Sequence, residues 1–238
     1  RGIYCHTSNK LYFYNNKIMN NGFNSINSPY GIDLFRSPTN VFEENYIFNN
    51  SDCGIGGLQG SNYNIINNNT IIQNTDHGID FNQNCVNNTI ANNTISNHPD
   101  AAIYISSGMR TIIEYNNLSG NPAGAIELRY GVGGIIRYNE ISGCSGSVIY
   151  LYDSTNQTIY RNNITNNQGT AISTGMSNSG NNISYNIIRD NTGTAISMGS
   201  NPCDNMIWKN TIDNNSIGIL FTGGPCRNKI FNNSITNS

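Results

Sequence analysis

The chain has 238 residues, 37% hydrophobic and only 11% charged, with a formal net charge of −2. This balance leaves no electrostatic footprint for nucleic acid or for an anionic membrane surface, and no apolar run approaches the length of a membrane span. Such a hydrophobic content is low for a compact domain but adequate for a thin, elongated core.

Three short segments recur in fixed order from the N-terminus. The first is Gly2-Ile3-Tyr4-Cys5, seen again as Gly78-Ile79-Asp80-Phe81, Ala125-Ile126-Glu127-Leu128 and Ala195-Ile196-Ser197-Met198. The second carries Phe or Ile at Phe13, Phe42, Ile66, Ile90, Ile113, Ile136, Ile159, Ile183, Ile207 and Ile230. The third carries an anchor five residues later, at Ile18, Ile47, Ile71, Ile95, Leu118, Ile141, Ile164, Ile188, Ile212 and Ile235. After the first step every anchor spacing is 23 or 24 residues; in the first, six additional residues fall within Met19 to Pro29. Two residues before each anchor stands an asparagine: Asn16, Asn45, Asn69, Asn93, Asn116, Asn139, Asn162, Asn186, Asn210 and Asn233. A period this regular defines a repeat protein.

There is no leucine-rich consensus and no helix-compatible stretch. β-Branched runs broken by Asn and Gly read as strand, turn, strand, turn. Units of this length stacked on one another predict an all-β fold, a parallel β-helix of about ten coils with three short strands each, forming one domain over residues 1–238. The asparagine column has two readings. It marks solvated turns, or it forms an internal ladder in which each side-chain amide bonds to its counterparts in the coils above and below. Ten occurrences at one offset favour the ladder. Asn also tolerates the left-handed conformation that tight bends require.

The pattern resembles the right-handed parallel β-helix repeats of the pectate-lyase-like and copper-protein-associated (NosD-type) families, over essentially the whole chain. The resemblance implies that the bend at each ladder asparagine is the short turn between the second and third sheets. It does not select an activity, because that fold carries lyases, hydrolases, epimerases, adhesins and structural proteins.

Two of the six cysteines obey the repeat. Cys203 and Cys226 lie 23 residues apart at one offset, where stacked Cα atoms would stand about 4.8 Å apart, within disulfide reach. Their bonding is predicted, and it points to an oxidising, extracellular or cell-surface setting. Cys5, Cys53, Cys85 and Cys144 share no such register, which leaves free, buried and cross-chain states open. Ten Asn-x-Ser/Thr sequons occur, close to what the composition yields by chance, and they decide nothing about glycosylation.

Side chains alternate along a strand. The residue after each inward Ile of the first segment type therefore faces outward, giving a row that includes Asp80, Tyr104, Glu127 and Tyr150, with Arg129 and Tyr152 two residues on. Carboxylates, an arginine and aromatic faces suit a polysaccharide groove: Asp80, Glu127 and Arg129 for acid–base chemistry and carboxylate binding, Tyr104, Tyr150 and Tyr152 for stacking on sugars. The same residues also suit an ordinary exposed sheet stabilised by pairs on one face. A second cluster, Asp52, Asp76 and Asp100, falls five residues after successive anchors with His77 and His98 nearby. Three stacked carboxylates call for a positive charge between them, which suggests Ca²⁺; the alternative is three Asx-type turns facing water. His6 reads as an ordinary surface residue and Trp208 as packing at an exposed rim.

Two functions follow. Uniform short loops and ends without an evident cap predict a non-catalytic surface protein that associates with copies of itself end to end, as a filament, sheath or surface layer. The alternative is a carbohydrate-active enzyme, a polysaccharide lyase or epimerase, or a glycan-binding adhesin, using the outward face. A start at Arg1 suggests a processed or excised chain.

Overall fold

The computed structural model describes residues 1–22 and 29–238. Ten windings each contribute one strand to each of three parallel ten-stranded sheets, forming a right-handed β-helix. The first sheet starts at Ile3–His6, the second at Tyr12–Tyr14 and the third at Lys17–Met19. The additional residues expected within Met19 to Pro29 fall largely on 23–28, outside the described residues.

Equal offset means direct stacking throughout. Ile79 pairs with Ile55 and Ile103, Ile113 with Ile90 and Ile136, and Ile95 with Ile71 and Leu118. These inward residues are essentially inaccessible to solvent, so each sheet contributes one aliphatic column to a narrow core. The core accommodates size changes between neighbouring coils. A Cβ at Gly57 would stand 2.2 Å from the Phe81 ring, so the missing side chain in one coil makes room for the aromatic in the next.

The asparagine ladder is continuous from Asn16 to Asn233. Each Oδ1 accepts both the backbone N–H and the Nδ2 of the preceding asparagine, at 2.8–3.0 Å. Nδ2 also donates back to the carbonyl of the second-sheet core residue one coil earlier, as from Asn93 to Ile66 and from Asn139 to Ile113. Buried amides are thereby satisfied by one another.

The expected reason for asparagine needs correction. The left-handed residue in this turn is the one before the ladder position: Asn15, Glu44, Asn68, Asn92, Tyr115, Tyr138, Arg161, Tyr185, Lys209 and Asn232 all have φ between 51° and 56°. Asn is required at the ladder for its hydrogen bonds, and the left-handed position beside it holds a residue other than Asn or Gly in six of the ten coils.

Two further polar columns lie five residues to either side of the first. On one side, Asn21, Asn50 and Asn74 continue through His98 and Asn121, past Cys144, to Asn167, Asn191 and Asn215. His98 is fully buried here. It stands between Asn74 Nδ2 and Asn121 Oδ1, and burial holds its pKa down near 4, so it is a neutral ladder member. On the other side, Asn40, Asn64 and Asn88 form a column that Thr111 interrupts and that Gln157, Asn181, Asn205 and Asn228 resume. Before that break the Nδ2 groups of Asn64 and Asn88, whose Oδ1 atoms accept backbone N–H groups, and the Thr111 hydroxyl are buried without side-chain hydrogen-bond partners.

Cys203 and Cys226 are disulfide-bonded across adjacent coils, with Cα atoms 4.6 Å apart. Cys5, Cys53, Cys85 and Cys144 are free and buried. His6 is exposed and stacks on Phe35. Trp208 is part of a longer aromatic row, described below.

Candidate functional site

The first sheet brings the expected outward residues into one row. Asp33, Gly56, Asp80, Tyr104, Glu127 and Tyr150 stand in successive coils, with Arg129 opposite Tyr152 beside them. Facing outward does not mean being exposed. The Tyr30 ring occupies the space above Gly56, 3.0 Å from where a Cβ would stand, and Asp33 and Asp80 are buried, at 2% and 8% exposure. Glu127 and Arg129 form an ion pair on their own strand. The Arg129 guanidinium lies 5.8 Å from the Tyr104 ring centroid and 5.7 Å from that of Tyr152, so one cation joins two of the expected aromatic faces.

The aspartate column and the outward row are one site. His77 joins them: its Nδ1 lies 3.0 Å from Asp76 Oδ1, its Nε2 3.6 Å from Asp100 Oδ1, and its ring packs on Tyr104 with centroids 4.9 Å apart. Burial works against a charged imidazole here, but the hydrogen bond that the ring donates to Asp76 and the charges of Asp76, Asp100 and Asp80 outweigh it and raise the His77 pKa. The stacked carboxylates thus favour the protonated ring, which is the form that places positive charge among them. Asp52 and Asp100 each also accept the backbone N–H of the following residue, at 2.8 and 2.9 Å, as Asx-type turns do.

Asp80 is the most strongly perturbed carboxyl of the cluster. Burial, reinforced by Asp76, Asp52 and Asp100 and only partly offset by His77, lifts its carboxyl from 3.8 to about 7. Asn82 Nδ2 donates to its Oδ1 at 2.5 Å. A carboxyl titrating near neutrality beside an imidazole of raised pKa can both take and give a proton under physiological conditions.

Cys53, Asp76 and His77 each place a donor atom within 4.8 Å of the others. A thiol, an imidazole and a carboxylate form a set for a transition ion, whereas Ca²⁺ takes six to eight oxygens. Burial and the surrounding aspartates raise the Cys53 thiol well above its ordinary range, which keeps it protonated.

Sequence reasoning missed Tyr30 and Cys53 as members of this site, and it left His77 without a role. The clue for His77 was its position one residue after Asp76 and three before Asp80, at the start of a first-sheet strand. His98 was grouped with the aspartates, but its side chain lies inside the ladder and belongs to the fold.

The sequence matches the family described as a right handed beta helix region over residues 1–112 and again over 87–235. No curated protein sequence matches significantly. Among solved structures, a double mutant of the periplasmic alginate epimerase AlgG superposes with a TM-score of 0.84 at 17% identity, over 94% of this chain and 61% of that one. PfbA, a surface adhesin of Streptococcus pneumoniae, gives 0.71 at 12% identity over 95% and 69%. DFA-IIIase from Arthrobacter chlorophenolicus A6 gives 0.68 at 13% identity over 94% and 64%. The chain thus spans about three fifths of the epimerase's length, and identities this low speak to the fold alone. On its sequence match and its three stacked sheets, the chain belongs to the right handed beta helix family.

Proposed function

We propose that this protein acts on an acidic polysaccharide by proton transfer at the outward face of the first sheet, in an extracytoplasmic setting. Asp80 exchanges the proton, and His77, held by Asp76 and Asp100, is its charged partner. Arg129 meets the substrate carboxylate, and Tyr104, Tyr150 and Tyr152 carry the sugar rings. The observation that supports this most is Asp80 itself, a buried carboxyl lifted to about 7 within a row of tyrosines and one guanidinium. Removal of the proton beside a uronate carboxyl group leads to two outcomes. Return of a proton to the opposite face gives the epimer, while loss of the neighbouring glycosidic oxygen, which takes up a proton, gives an unsaturated lyase product. The disulfide and the fold's similarity to a periplasmic epimerase and a surface adhesin support the setting. The fold's similarity to an alginate epimerase and to DFA-IIIase supports this reading over the end-to-end association expected from the sequence.

The test is incubation with mannuronan, alginate and polygalacturonate, reading C5 inversion by proton NMR and unsaturated ends by ultraviolet absorbance. Asp80→Asn should lower turnover at least ~100-fold, the usual scale for a general acid–base group. Turnover that survives both Asp80→Asn and His77→Gln would assign the chemistry elsewhere. Binding without turnover by the unaltered chain would reduce the site to a glycan-binding surface.

A further inference from the structure

The bend between the second and third sheets carries a different surface. Six aromatic side chains form an unbroken row there over six coils: Tyr115, Tyr138, Tyr160, Tyr185, Trp208 and Phe231. Successive ring centroids are 4.9, 5.8, 5.6, 4.9 and 5.6 Å apart. Cations lie over these rings. The Arg161 guanidinium sits 5.1 Å from Tyr160 and 5.7 Å from Tyr185, and Lys209 Nζ sits 5.3 Å from Tyr185 and 5.4 Å from Trp208. Arg137 is paired with Glu114 at 2.6 Å, whereas Arg161 and Lys209 are exposed and have no carboxylate partner among the described residues. The row is thus locally cationic on a chain whose net charge is −2.

The backbone gives an independent reason to regard these side chains as selected for what they present. The turn after the third sheet uses the same left-handed conformation, and its ten positions read Asn20, Asn49, Gln73, Asn97, Gly120, Gly143, Asn166, Asp190, Asn214 and Asn237, nearly all residues that conformation favours. The turn beside the ladder begins in the same way with Asn15, Glu44, Asn68 and Asn92. It then places Tyr115, Tyr138, Arg161, Tyr185 and Lys209 in five consecutive coils before returning to Asn232. Aromatic residues occupy other left-handed positions singly, as at Tyr63 and Tyr130, whereas flexible polar side chains fill them in consecutive coils, as at Arg36, Gln59 and Gln83. A strained position filled against its own preference, coil after coil, points to the side chain's task.

We infer that this row is a second binding surface, for an anionic polysaccharide lying along the helix axis. Its length of five steps of about 4.8 Å suits an extended chain of several sugars. The rings offer apolar faces, the tyrosine hydroxyls offer polar edges, and Arg161 and Lys209, two coils apart, meet carboxylates spaced along the polymer. A single-stranded nucleic acid would carry a phosphate at every step and needs a denser row of cations than these two. The surface lies on another sheet from Asp80, so its binding does not rest on the reaction proposed above.

Trp208 is the chain's one tryptophan, and its Nε1 is anchored to Asn182 Oδ1 at 2.8 Å. Its emission therefore reports on this row. Titration of the Asp80→Asn chain with oligouronates should give a saturable emission change that weakens as salt rises. Arg161→Gln with Lys209→Gln, two exposed positions, should lower affinity at least ~10-fold, while leaving both the thermal midpoint and turnover at the first sheet unchanged. The inference is overturned by unchanged affinity in that double variant, by unperturbed emission at saturating polymer, or by equal binding of a neutral glucan or of single-stranded DNA. If the first-sheet reaction is wrong, turnover is absent but this titration still succeeds.

Discussion

The two candidate faces of this β-helix are built on the same rise per coil and differ in what lies over them. On the first sheet, Tyr30, His77 and Tyr104 close over the outward row, so Asp80 loses most of its contact with water and its proton affinity rises to the neutral range. On the second sheet's bend the ends of the row are open, Tyr115 at 52% and Phe231 at 41% exposure, and the four rings between them are half-buried against one another. Identical spacing thus yields a buried, reactive carboxyl on one side and an open aromatic–cation ridge on the other. Solvent access decides which, because desolvation acts on charge far more strongly than stacking distance does.

The largest effect separating the two faces should be the loss of turnover in Asp80→Asn, which leaves the ridge intact. Next is a change that affects both faces alike. Asn139→Ala removes the acceptor for Asn116 N–H and Nδ2 and orphans the Ile113 carbonyl, and it should cost about 3 kcal/mol. Denaturant unfolding measures it, and a midpoint unchanged from the parent chain would mean the ladder is ornamental.

The titration of Asp80 gives a sharper comparison. Its folded pKa is raised, so between about pH 4 and pH 7 the folded chain binds the extra proton and stability falls as pH rises. The His77 shift, also upward, adds stability at low pH that is lost as pH rises through its folded value. Replacing Asp80 with Asn removes the first contribution and weakens the second, because the Asp80 charge helps to raise His77, with about 1.4 kcal/mol at stake for each pKa unit. The stability of Asp80→Asn relative to the parent should therefore increase from pH 4 to pH 7, while Arg161→Gln with Lys209→Gln should show no such trend. Thermal melts across that range decide it.

The smallest effect lies on the ridge. Tyr138→Asn places a residue suited to left-handed backbone at φ 55°, and it should relieve about 1 kcal/mol of strain. The same change interrupts the stack between Tyr115 and Tyr160 and should weaken oligouronate binding. A variant with lower stability would show that the stack serves the fold more than the ligand.

The repeat was legible because every winding meets the same constraint. An inward Ile must fill one narrow core, and an amide must satisfy its neighbours, so Ile95 and Asn93 recur at fixed offset and the Cys203–Cys226 bond follows from register. The two flanking ladders were also present in the sequence, as Asn five residues before and five after most ladder positions. Reading turns as solvated obscured them, and His98 and Cys144 disguised one column.

The sequence by itself determined the architecture, the register and the membership of the outward row, because a period translates directly into stacking. Only the tertiary structure decided that Asp80 is buried, that His77 lies between Asp76 and Asp100 and joins two clusters into one, and that tyrosines, Trp208 and cations merge into a single ridge. These depend on how side chains lean across neighbouring coils and bends. Offset along the chain specifies which residues are neighbours, whereas packing against water specifies their charge and exposure.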